Sequence, residues 1–291
     1  MLFGVAYGML GSVHDAEDVL QDTAERWFRL SVDEQRAIRV PAAWLRTVVV
    51  RRCLDVMKGQ ARQRERYRGI WLPEPMLSPE GATPNTPAEA AERAEGVSFA
   101  LVLAMETLTP VERVSFVLHE SFGVPFVEIA ETVGRSVESC RQAARSARKR
   151  MAGARELSPD LQAHENARAA FVLASATGNL DALIGILDPS ARVRSDGGAS
   201  VKAALRPIVG ADRVAGYLLG LLAIQRTRRE GLRFLPCRVN GLPGLLIRDS
   251  GGIIGVIDIA VSGRKIREIA IQVNPEKIVV PAELRGSLRE N

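Results

Sequence analysis

Arginine and lysine side chains are concentrated in two short stretches of the chain. Residues 46–68 contain eight bases against two acids, and residues 141–150 contain five bases and no acid. Guanidinium groups bind phosphate and guanine edges well. Two basic stretches of this kind are typical of a chain with two nucleic-acid contacts, although solvated helix faces would have the same composition.

Side chains suited to catalysis or metal binding are scattered. The histidines and cysteines lie far apart and indicate neither a metal site nor a disulfide framework: His14, His119, His164, Cys53, Cys140 and Cys237. Asp258 alternates with Val256 and Ala260 on one face of a predicted strand, where burial would raise its pKa as an acid/base catalyst requires. Pairing with an arginine is an equal explanation. We expect no enzymatic activity, metal or cofactor.

The overall composition favours a folded protein. The chain has 291 residues, of which 46% are hydrophobic, and a net charge of +5. These values exclude a wholly disordered chain, and no apolar run reaches the roughly 18 residues that span a bilayer. The first residues lack the basic start of a signal peptide. We expect a soluble, cytoplasmic protein with no membrane partner.

Helical patterns occupy the first 68 residues. Ser12 can cap a helix whose acids, Asp15 and Glu17, lie near its positive end, and Pro41 suits the first position of a later helix. Trp44 shares an apolar stripe with Val48, which favours a core position for the indole. The whole segment is therefore predicted to be helical.

A segment rich in proline, glycine and serine follows at 69–97 and predicts a linker between folded units. Helical patterns return from 98 to about 153, with one helix beginning at Thr109-Pro110. The stretch from Pro125 to Arg150 divides at Gly134, and Ser136 can cap the second part. A helix, a glycine turn and a basic second helix outline a helix-turn-helix, although helical hairpins with this outline are common.

The predicted secondary structure changes after Ser158 from helices alone to helices followed by strands. Two helices are predicted between Ala163 and Leu187 and a third from Gly210 to Ile224. Four strand-like runs follow, joined by turns such as Asn240-Gly241: Leu232 to Val239, Leu245 to Arg248, Ile253 to Val261 and Ile266 to Val273. Helices followed by an antiparallel meander predict an α+β domain.

Three segments of the amino-terminal half resemble the extracytoplasmic-function sigma factors of bacterial RNA polymerase. They are MLGSVHDAEDVLQDTAERWF (9–28), PAAWLRTVVVRRCLDVMKGQARQRE (41–65) and LTPVERVSFVLHESFGVPFVEIAETVGRSVESCRQAARSARKRM (108–151). WLPEP (71–75), SDGGASVKAALRPI (195–208) and NPEKI (274–278) resemble the members that carry a SnoaL-like, NTF2-fold domain at the carboxyl end. The family's DGGGK reads DGGAS here. Family members usually have another turn or two of helix before Leu2, so the resemblance implies either a late start at Met1 or a truncation.

The resemblance implies a multidomain fold with two all-α sigma domains followed by an α+β NTF2/SnoaL-like cone. It places sigma-70 region 2 at 1–68, a linker at 69–97, region 4 with its helix-turn-helix at 98–153, the SnoaL-like domain at 159–278 and a tail at 279–291.

The resemblance also implies roles for individual residues. The acidic helix would contact core polymerase through Asp15, Glu17, Asp18, Gln21 and Asp22. The −10 promoter element would contact Arg51, Arg52 and Lys58. The −35 element would contact Ser136, Glu138, Ser139, Arg141, Gln142 and Arg145 at base edges, and Arg148 and Lys149 at phosphates. Cys140, on the same helix, is expected to be a buried small hydrophobe.

The implied function is that of a sigma factor. Such a protein binds the β′ clamp and the β flap of core RNA polymerase, binds promoter DNA and so directs the polymerase to promoters. Its carboxy-terminal domain is expected to regulate it in place of a separate anti-sigma factor. Interdomain regulation would involve Trp71, Leu72, Pro73, Asp196, Asn274 and Pro275. The indole of Trp71 could instead pack on the amino-terminal domain. The alternative function is a one-component DNA-binding regulator with a ligand-sensing or enzymatic NTF2-like domain.

Overall fold

A computed structural model describes residues 1–81, 98–155, 157 and 160–287 of the chain. The described residues form two compact units. The first comprises 1–66 and 101–153, and the second comprises 67–81, 98–100 and the residues from 154 onward. The first part of the predicted linker therefore belongs to the second unit, and residues 82–97 of that linker lie outside the described residues.

Four helices form the first half of the first unit: α1 (Leu2–Leu10), α2 (Val13–Arg29), α3 (Val32–Ala37) and α4 (Pro41–Glu65). The Ser12 hydroxyl accepts a hydrogen bond from the Asp15 N–H and caps α2, as predicted. Pro41 is the first residue of α4, also as predicted. The short helix α3 was not predicted; Ser31 and Glu34 form a capping box at its start.

The second half of this unit contains most of α5 (Phe99–Met105), α6 (Pro110–Phe116), α7 (Phe126–Val133), α8 (Val137–Arg150) and the start of the short α9 (Ala152–Arg155). Thr109 and Glu112 form a capping box before α6. Gly134 ends α7 at φ 67°, a left-handed conformation that glycine adopts without strain, and Ser136 caps α8. The predicted helix-turn-helix is therefore present.

The second unit packs three helices, α10 (Leu161–Thr177), α11 (Leu180–Ile186) and α12 (Ala211–Arg228), with a sheet. The strands are β1 (Leu77–Ser78), β2 (Leu187–Asp196), β3 (Ile208–Val209), β4 (Arg233–Val239), β5 (Leu242–Asp249), β6 (Gly252–Ser262) and β7 (Lys265–Gln272), in the order β1-β4-β5-β6-β7-β2-β3. The neighbours β2 and β7 are parallel, and the other neighbours are antiparallel. Aliphatic side chains of the helices and strands share one core, which gives the predicted α+β cone.

Two predictions about the ends of this unit need correction. Leu77 and Ser78, inside the predicted linker, form β1 and pair with Val239 and Arg238, so this part of the linker is an edge strand of the sheet. The predicted tail contains α13 (Ala282–Ser287), in which Leu284 is buried. A truncation at Val279 would remove that leucine from the core and would not be neutral.

Among the described residues, no helix is both long and apolar enough to cross a membrane.

Candidate nucleic-acid interface and linker clamp

The acidic residues predicted to contact core polymerase occupy two faces of α2. Glu17, Asp18 and Gln21 are exposed and follow one another at helical spacing. Asp15 and Asp22 turn toward α4 instead, where Asp15 accepts a hydrogen bond from the amide of Gln60 at 2.7 Å. We call the exposed residues Glu17, Asp18 and Gln21 the acidic ridge. The neighbouring acids, Asp15 and Asp22, hold α2 and α4 together.

Two of the basic residues predicted to bind the −10 element make contacts inside the first unit. The Arg52 guanidinium donates to the Asp22 carboxylate at 2.7 Å, so a candidate DNA contact pairs with a candidate polymerase contact. Arg51 donates through Nε to the carbonyl oxygen of Thr132, at the end of α7, at 3.2 Å. Lys58 is exposed and pairs with Asp55.

A second contact joins α4 and α7 beside Arg51. The Arg46 guanidinium forms an ion pair with the Glu128 carboxylate, and the hydroxyls of Thr47 and Thr132 lie 3.4 Å apart. We call these contacts, together with the bond from Arg51, the α4–α7 contact. It brings the helix that carries the −10 candidates against the first helix of the helix-turn-helix.

The recognition helix α8 has a buried apolar face and an exposed polar face. Cys140, Ala144 and Ala147 are buried, and burial raises the pKa of the Cys140 thiol. The exposed side chains follow at helical spacing: Glu138, Arg141, Gln142, Arg145 and Lys149. The prediction that Cys140 is a buried hydrophobe is confirmed.

Five of the candidate DNA contacts on α8 and at its cap take part in hydrogen bonds within the protein. The Ser136 hydroxyl accepts from the Ser139 N–H as the helix cap. Arg145 donates to the Glu138 carboxylate at 2.6 Å on the exposed face. Arg148 is half-buried and donates to the Glu120 carboxylate at 2.7 Å, which leaves Lys149 as the more accessible of the two predicted phosphate contacts.

The carboxylate of Asp196, at the end of β2, collects four donors in the second unit. Oδ2 accepts from the Leu72 N–H at 2.9 Å and from Lys277 Nζ at 2.8 Å. Oδ1 accepts from the Tyr67 hydroxyl and from the Gly198 N–H at 2.9 Å. Asp196 is 1% exposed, so its charge is stabilised by these bonds in place of water.

Lys277 completes the enclosure of the linker. Its ammonium lies 3.9 Å from the centre of the Trp71 ring and also donates to the Leu72 carbonyl at 2.8 Å. The Gln272 amide donates to the Pro73 carbonyl, and the Asn274 amide donates to the Tyr67 hydroxyl, both at 3.2 Å. We call Asp196, Gln272, Asn274 and Lys277 the linker clamp; burial, reinforced by Asp196, raises the pKa of Tyr67.

The linker clamp needs two glycines after Asp196. A side chain at Gly198 would place its Cβ 2.6 Å from the Asn274 side chain, and one at Gly197 would lie 2.0 Å from the Val201 carbonyl. Gly198 also has φ 60°, which favours glycine. The positions at which DGGAS departs from the family pattern, Ala199 and Ser200, are exposed, so the departure leaves the clamp intact.

Sequence reasoning missed Tyr67, Gln272 and Lys277 as members of this site. Lys277 lies within the NPEKI segment, so a search for a cation near Trp71 could have found it. Tyr67 and Gln272 carry no local signal, because their roles depend on contacts with residues more than 100 positions away. Pro275, which was predicted, begins the short helical turn that carries Lys277.

The other described side chains suited to catalysis or metal binding do not come together in one site. Asp258 is buried, and burial, with the nearby Glu268 carboxylate, raises its pKa to about 7. No group of three or more potential metal ligands occurs in the part of the chain that the structure describes. All three cysteines are buried with free thiols, and burial raises the pKa of Cys53 and of Cys237 to about 12.

Two family models match the regions described above. Sigma-70 region 2 matches residues 1–63, which contain α1 to α3 and most of α4, and sigma-70 region 4 matches residues 98–151, which contain the helix-turn-helix. Both matches are to regions of RNA polymerase sigma factors, so the first unit has the two helical regions of that class of protein.

The chain is similar along its length to two sigma factors of Mycobacterium tuberculosis. It is 39% identical to the ECF RNA polymerase sigma factor SigJ over 224 residues, covering 76% of this chain and 70% of that protein. It is 32% identical to the probable ECF RNA polymerase sigma factor SigI over 292 residues, covering 98% and 94%. The crystal structure of SigJ matches with a TM-score of 0.75 and 33% identity, covering 95% of this chain and 94% of that one.

The chain therefore belongs to the extracytoplasmic-function (ECF) family of RNA polymerase sigma factors. Its function is to bind core RNA polymerase and promoter DNA and to direct the initiation of transcription.

Proposed function

We propose that this sigma factor is regulated by its own second unit, which restricts the linker between region 2 and region 4. The observation that carries the proposal is the linker clamp, in which buried Asp196 and Lys277 bind the backbone of Leu72 from both sides. The proposed domains are region 2 at 1–68, the linker at 69–97 with its first part in the sheet of the second unit, region 4 at 98–153 and a SnoaL-like domain that extends from 159 past 278 to include α13.

When the first part of the linker docks on the second unit, fewer residues remain to span the distance between region 2 and region 4. Thirty-two residues, 67–98, connect Arg66 to Phe99, and 18 of them, 81–98, follow the segment that ends at Glu80. A fully extended residue spans about 3.3–3.6 Å, so fixing residues 67–80 removes up to about 50 Å from the greatest possible length of the connection. Since promoter elements have a fixed spacing, a shorter tether lowers activity without changing any base contact.

The α4–α7 contact supports a closed form of the first unit that must open on promoter DNA. Arg51, a proposed −10 contact, donates through Nε to the carbonyl of Thr132 at the end of α7, which holds its exposed guanidinium beside that helix. Release of the clamp would favour opening because it lengthens the tether. Regulation then needs two states that differ by a few kcal/mol.

We propose that the exposed acids of α2 bind the β′ clamp, with region 4 on the β flap. Electrostatic complementarity of this kind raises association rates and fixes register. Arg51, Arg52 and Lys58 would bind the −10 element after the α4–α7 contact opens. Arg141, Gln142 and Arg145 would bind base edges of the −35 element, with Lys149 at a phosphate. Internal regulation would replace a separate anti-sigma factor, in the cytoplasm.

A regulatory role for the second unit is favoured over an enzymatic one. Asp258, the strongest candidate acid, lies in β6 next to Ile257, and side chains of consecutive strand residues point to opposite faces. Ile257 lines the cavity of this unit, and Asp258 does not. The match of residues 1–63 to region 2 also favours a sigma factor over a one-component regulator, which would not need that region.

The proposed function is tested with core RNA polymerase and a promoter of this sigma factor. The full chain should support promoter-dependent initiation, whereas it should bind duplex promoter DNA only weakly without polymerase, since each exposed basic patch is small. Tight, sequence-specific duplex binding by the free chain at physiological salt would contradict the account.

A further inference from the structure

A cavity of about 240 Å³ lies in the second unit between α12 and the concave face of the sheet. One face of α12 lines it with side chains at helical spacing, including Leu218, Leu221 and Leu222. Ile254 and Ile271 of the sheet form part of the facing wall. The volume is below that of most drug-sized sites, so the cavity fits a small molecule.

Most of the side chains that line the cavity are apolar, although several of them are accessible to solvent. Leu221, Leu222 and Ile254 are only partly buried, because they face this space and not the packed core. The next residues of the same helix, Ala223 and Ile224, are exposed and lie outside the cavity. Aliphatic walls around open space favour an apolar occupant, since filling the space removes the walls from water.

Few polar side chains line the cavity, and the charged ones are Lys202, which is exposed to solvent, and Arg229. Arg229 lines its edge but donates to the Asp249 carboxylate at 2.6 Å and to the Gln225 amide oxygen at 3.0 Å. A ligand carboxylate at this guanidinium would lie close to the Asp249 carboxylate, which would repel it. An uncharged ligand with one hydrogen-bonding group near Gln225 fits this edge better.

The cavity and the linker clamp share two chain segments. Ser195 lines the cavity and Asp196 belongs to the clamp; Val273 and Pro275 line the cavity and Asn274 belongs to the clamp. The Val273 N–H donates to the Asp196 carbonyl at 2.8 Å and joins the two segments. A molecule that moves one wall of the cavity therefore acts directly on residues that hold the linker.

We propose that this cavity binds a small, uncharged, largely apolar molecule, and that its occupancy changes how firmly the clamp holds the linker. The binding part stands on the cavity alone. The second part rests on the proposed regulatory function.

Binding is tested by calorimetric titration of the full chain with 2-naphthol, a small bicyclic alcohol that is uncharged at neutral pH. We expect saturable binding at one site. Leu221→Phe, which fills the cavity, should weaken it at least tenfold, whereas Ile224→Phe, the same type of change on the exposed face of α12, should leave it unchanged. The anion 2-naphthoate should bind at least tenfold more weakly than 2-naphthol.

A second cavity variant, Ile254→Phe in β6, guards against misfolding of Leu221→Phe. Each variant is used only if its thermal unfolding remains cooperative, and either one suffices. Absence of saturable binding to the unchanged chain, or equal affinity in a folded cavity variant, would overturn the proposal.

Coupling to the clamp is measured by hydrogen exchange of the Leu72 amide, which donates to Asp196. Saturating 2-naphthol should change its exchange rate at least threefold in the unchanged chain and not in the folded cavity variant. An unchanged rate at full occupancy would overturn the coupling. Failure of the proposed function gives a different result, in which 2-naphthol binds but Trp71→Ala leaves transcription unaltered.

Discussion

The linker clamp and the α4–α7 contact both join residues far apart in the chain, but they differ in burial. Asp196 and Lys277 are 1% and 8% exposed, and four protein groups donate to the Asp196 carboxylate. In the α4–α7 contact the Glu128 side chain is 44% exposed. Breaking a buried pair leaves an uncompensated charge, whereas water replaces an exposed partner. The difference indicates a firm attachment for the linker and a releasable one between the DNA-reading regions.

The largest effect should come from removing the clamp carboxylate. Asp196→Ala leaves the Lys277 ammonium buried without its anion and should lower the free energy of unfolding of the second unit by about 3–5 kcal/mol. Denaturant unfolding of the full chain measures this loss. Glu276→Gln, an exposed change beside Lys277, is the matched control and should cost little. A loss below 1 kcal/mol for Asp196→Ala would mean that the clamp is weak.

Asp258 is a buried carboxylate, and the charged group that affects its pKa is another carboxylate, that of Glu268. The pKa of Asp258 is raised to about 7, so the protonated form is favoured in the folded state, and the stability that it contributes is lost as pH rises from about 4 through about 7. Asp258→Asn should remove this loss and raise the free energy of unfolding at pH 8 by a few kcal/mol, because each tenfold change in proton affinity on folding is equivalent to about 1.4 kcal/mol.

Unfolding between pH 5 and 8 measures the effect of Asp258→Asn. The exposed Asp181→Asn should keep the pH dependence of the unchanged chain. Parallel profiles for the unchanged chain and Asp258→Asn would refute this assignment.

The exposed face of α8 provides an intermediate effect. Arg141→Ala or Gln142→Ala should cost about 1–3 kcal/mol of binding at one or two base pairs of the −35 element. Lys149→Ala should weaken binding to all sequences equally and lower the salt slope by about one. Holoenzyme binding to promoter variants over a range of salt measures both. Equal losses on every sequence would refute the separation into base and phosphate contacts.

The smallest effect on stability should come from the α4–α7 contact. Glu128→Gln removes a partly exposed ion pair and should lower the free energy of unfolding of the first unit by about 0–1 kcal/mol. The distance between fluorophores on the exposed faces of α4 and α8 should nevertheless shift toward larger values in the full chain. Glu131→Gln, on the exposed side of α7, is the control. A loss above 3 kcal/mol would mean that the contact is not releasable.

Local features of the fold could be predicted from sequence, and long-range ones could not. Ser12, Thr109 and Ser136 cap helices through bonds to residues three positions away, so the sequence around each cap is sufficient. The strand β2, with the sequence LDPSARVRSD, was missed because it mixes polar and apolar residues, and its pairing with β7 is a parallel contact about 75 residues away. Such pairing is set by the fold and not by local pattern.

The candidate site shows the same division. The basic stretches identified the helices α4 and α8, but composition did not indicate which arginines are engaged. Arg52 pairs with Asp22 and Arg148 with Glu120, each across about 30 residues. The linker residues Trp71 and Leu72 were singled out by resemblance, whereas the buried cation that contacts both was not.

Promoter-dependent initiation by Trp71→Ala, assayed with core polymerase beside the unchanged chain, tests the central claim most directly. The variant removes the ring that covers Lys277 and leaves both DNA-reading regions untouched. If the clamp restrains the tether, Trp71→Ala should initiate several-fold more transcripts while its affinity for core polymerase stays the same. Initiation equal to that of the unchanged chain, in both Trp71→Ala and Asp196→Ala, would contradict the account.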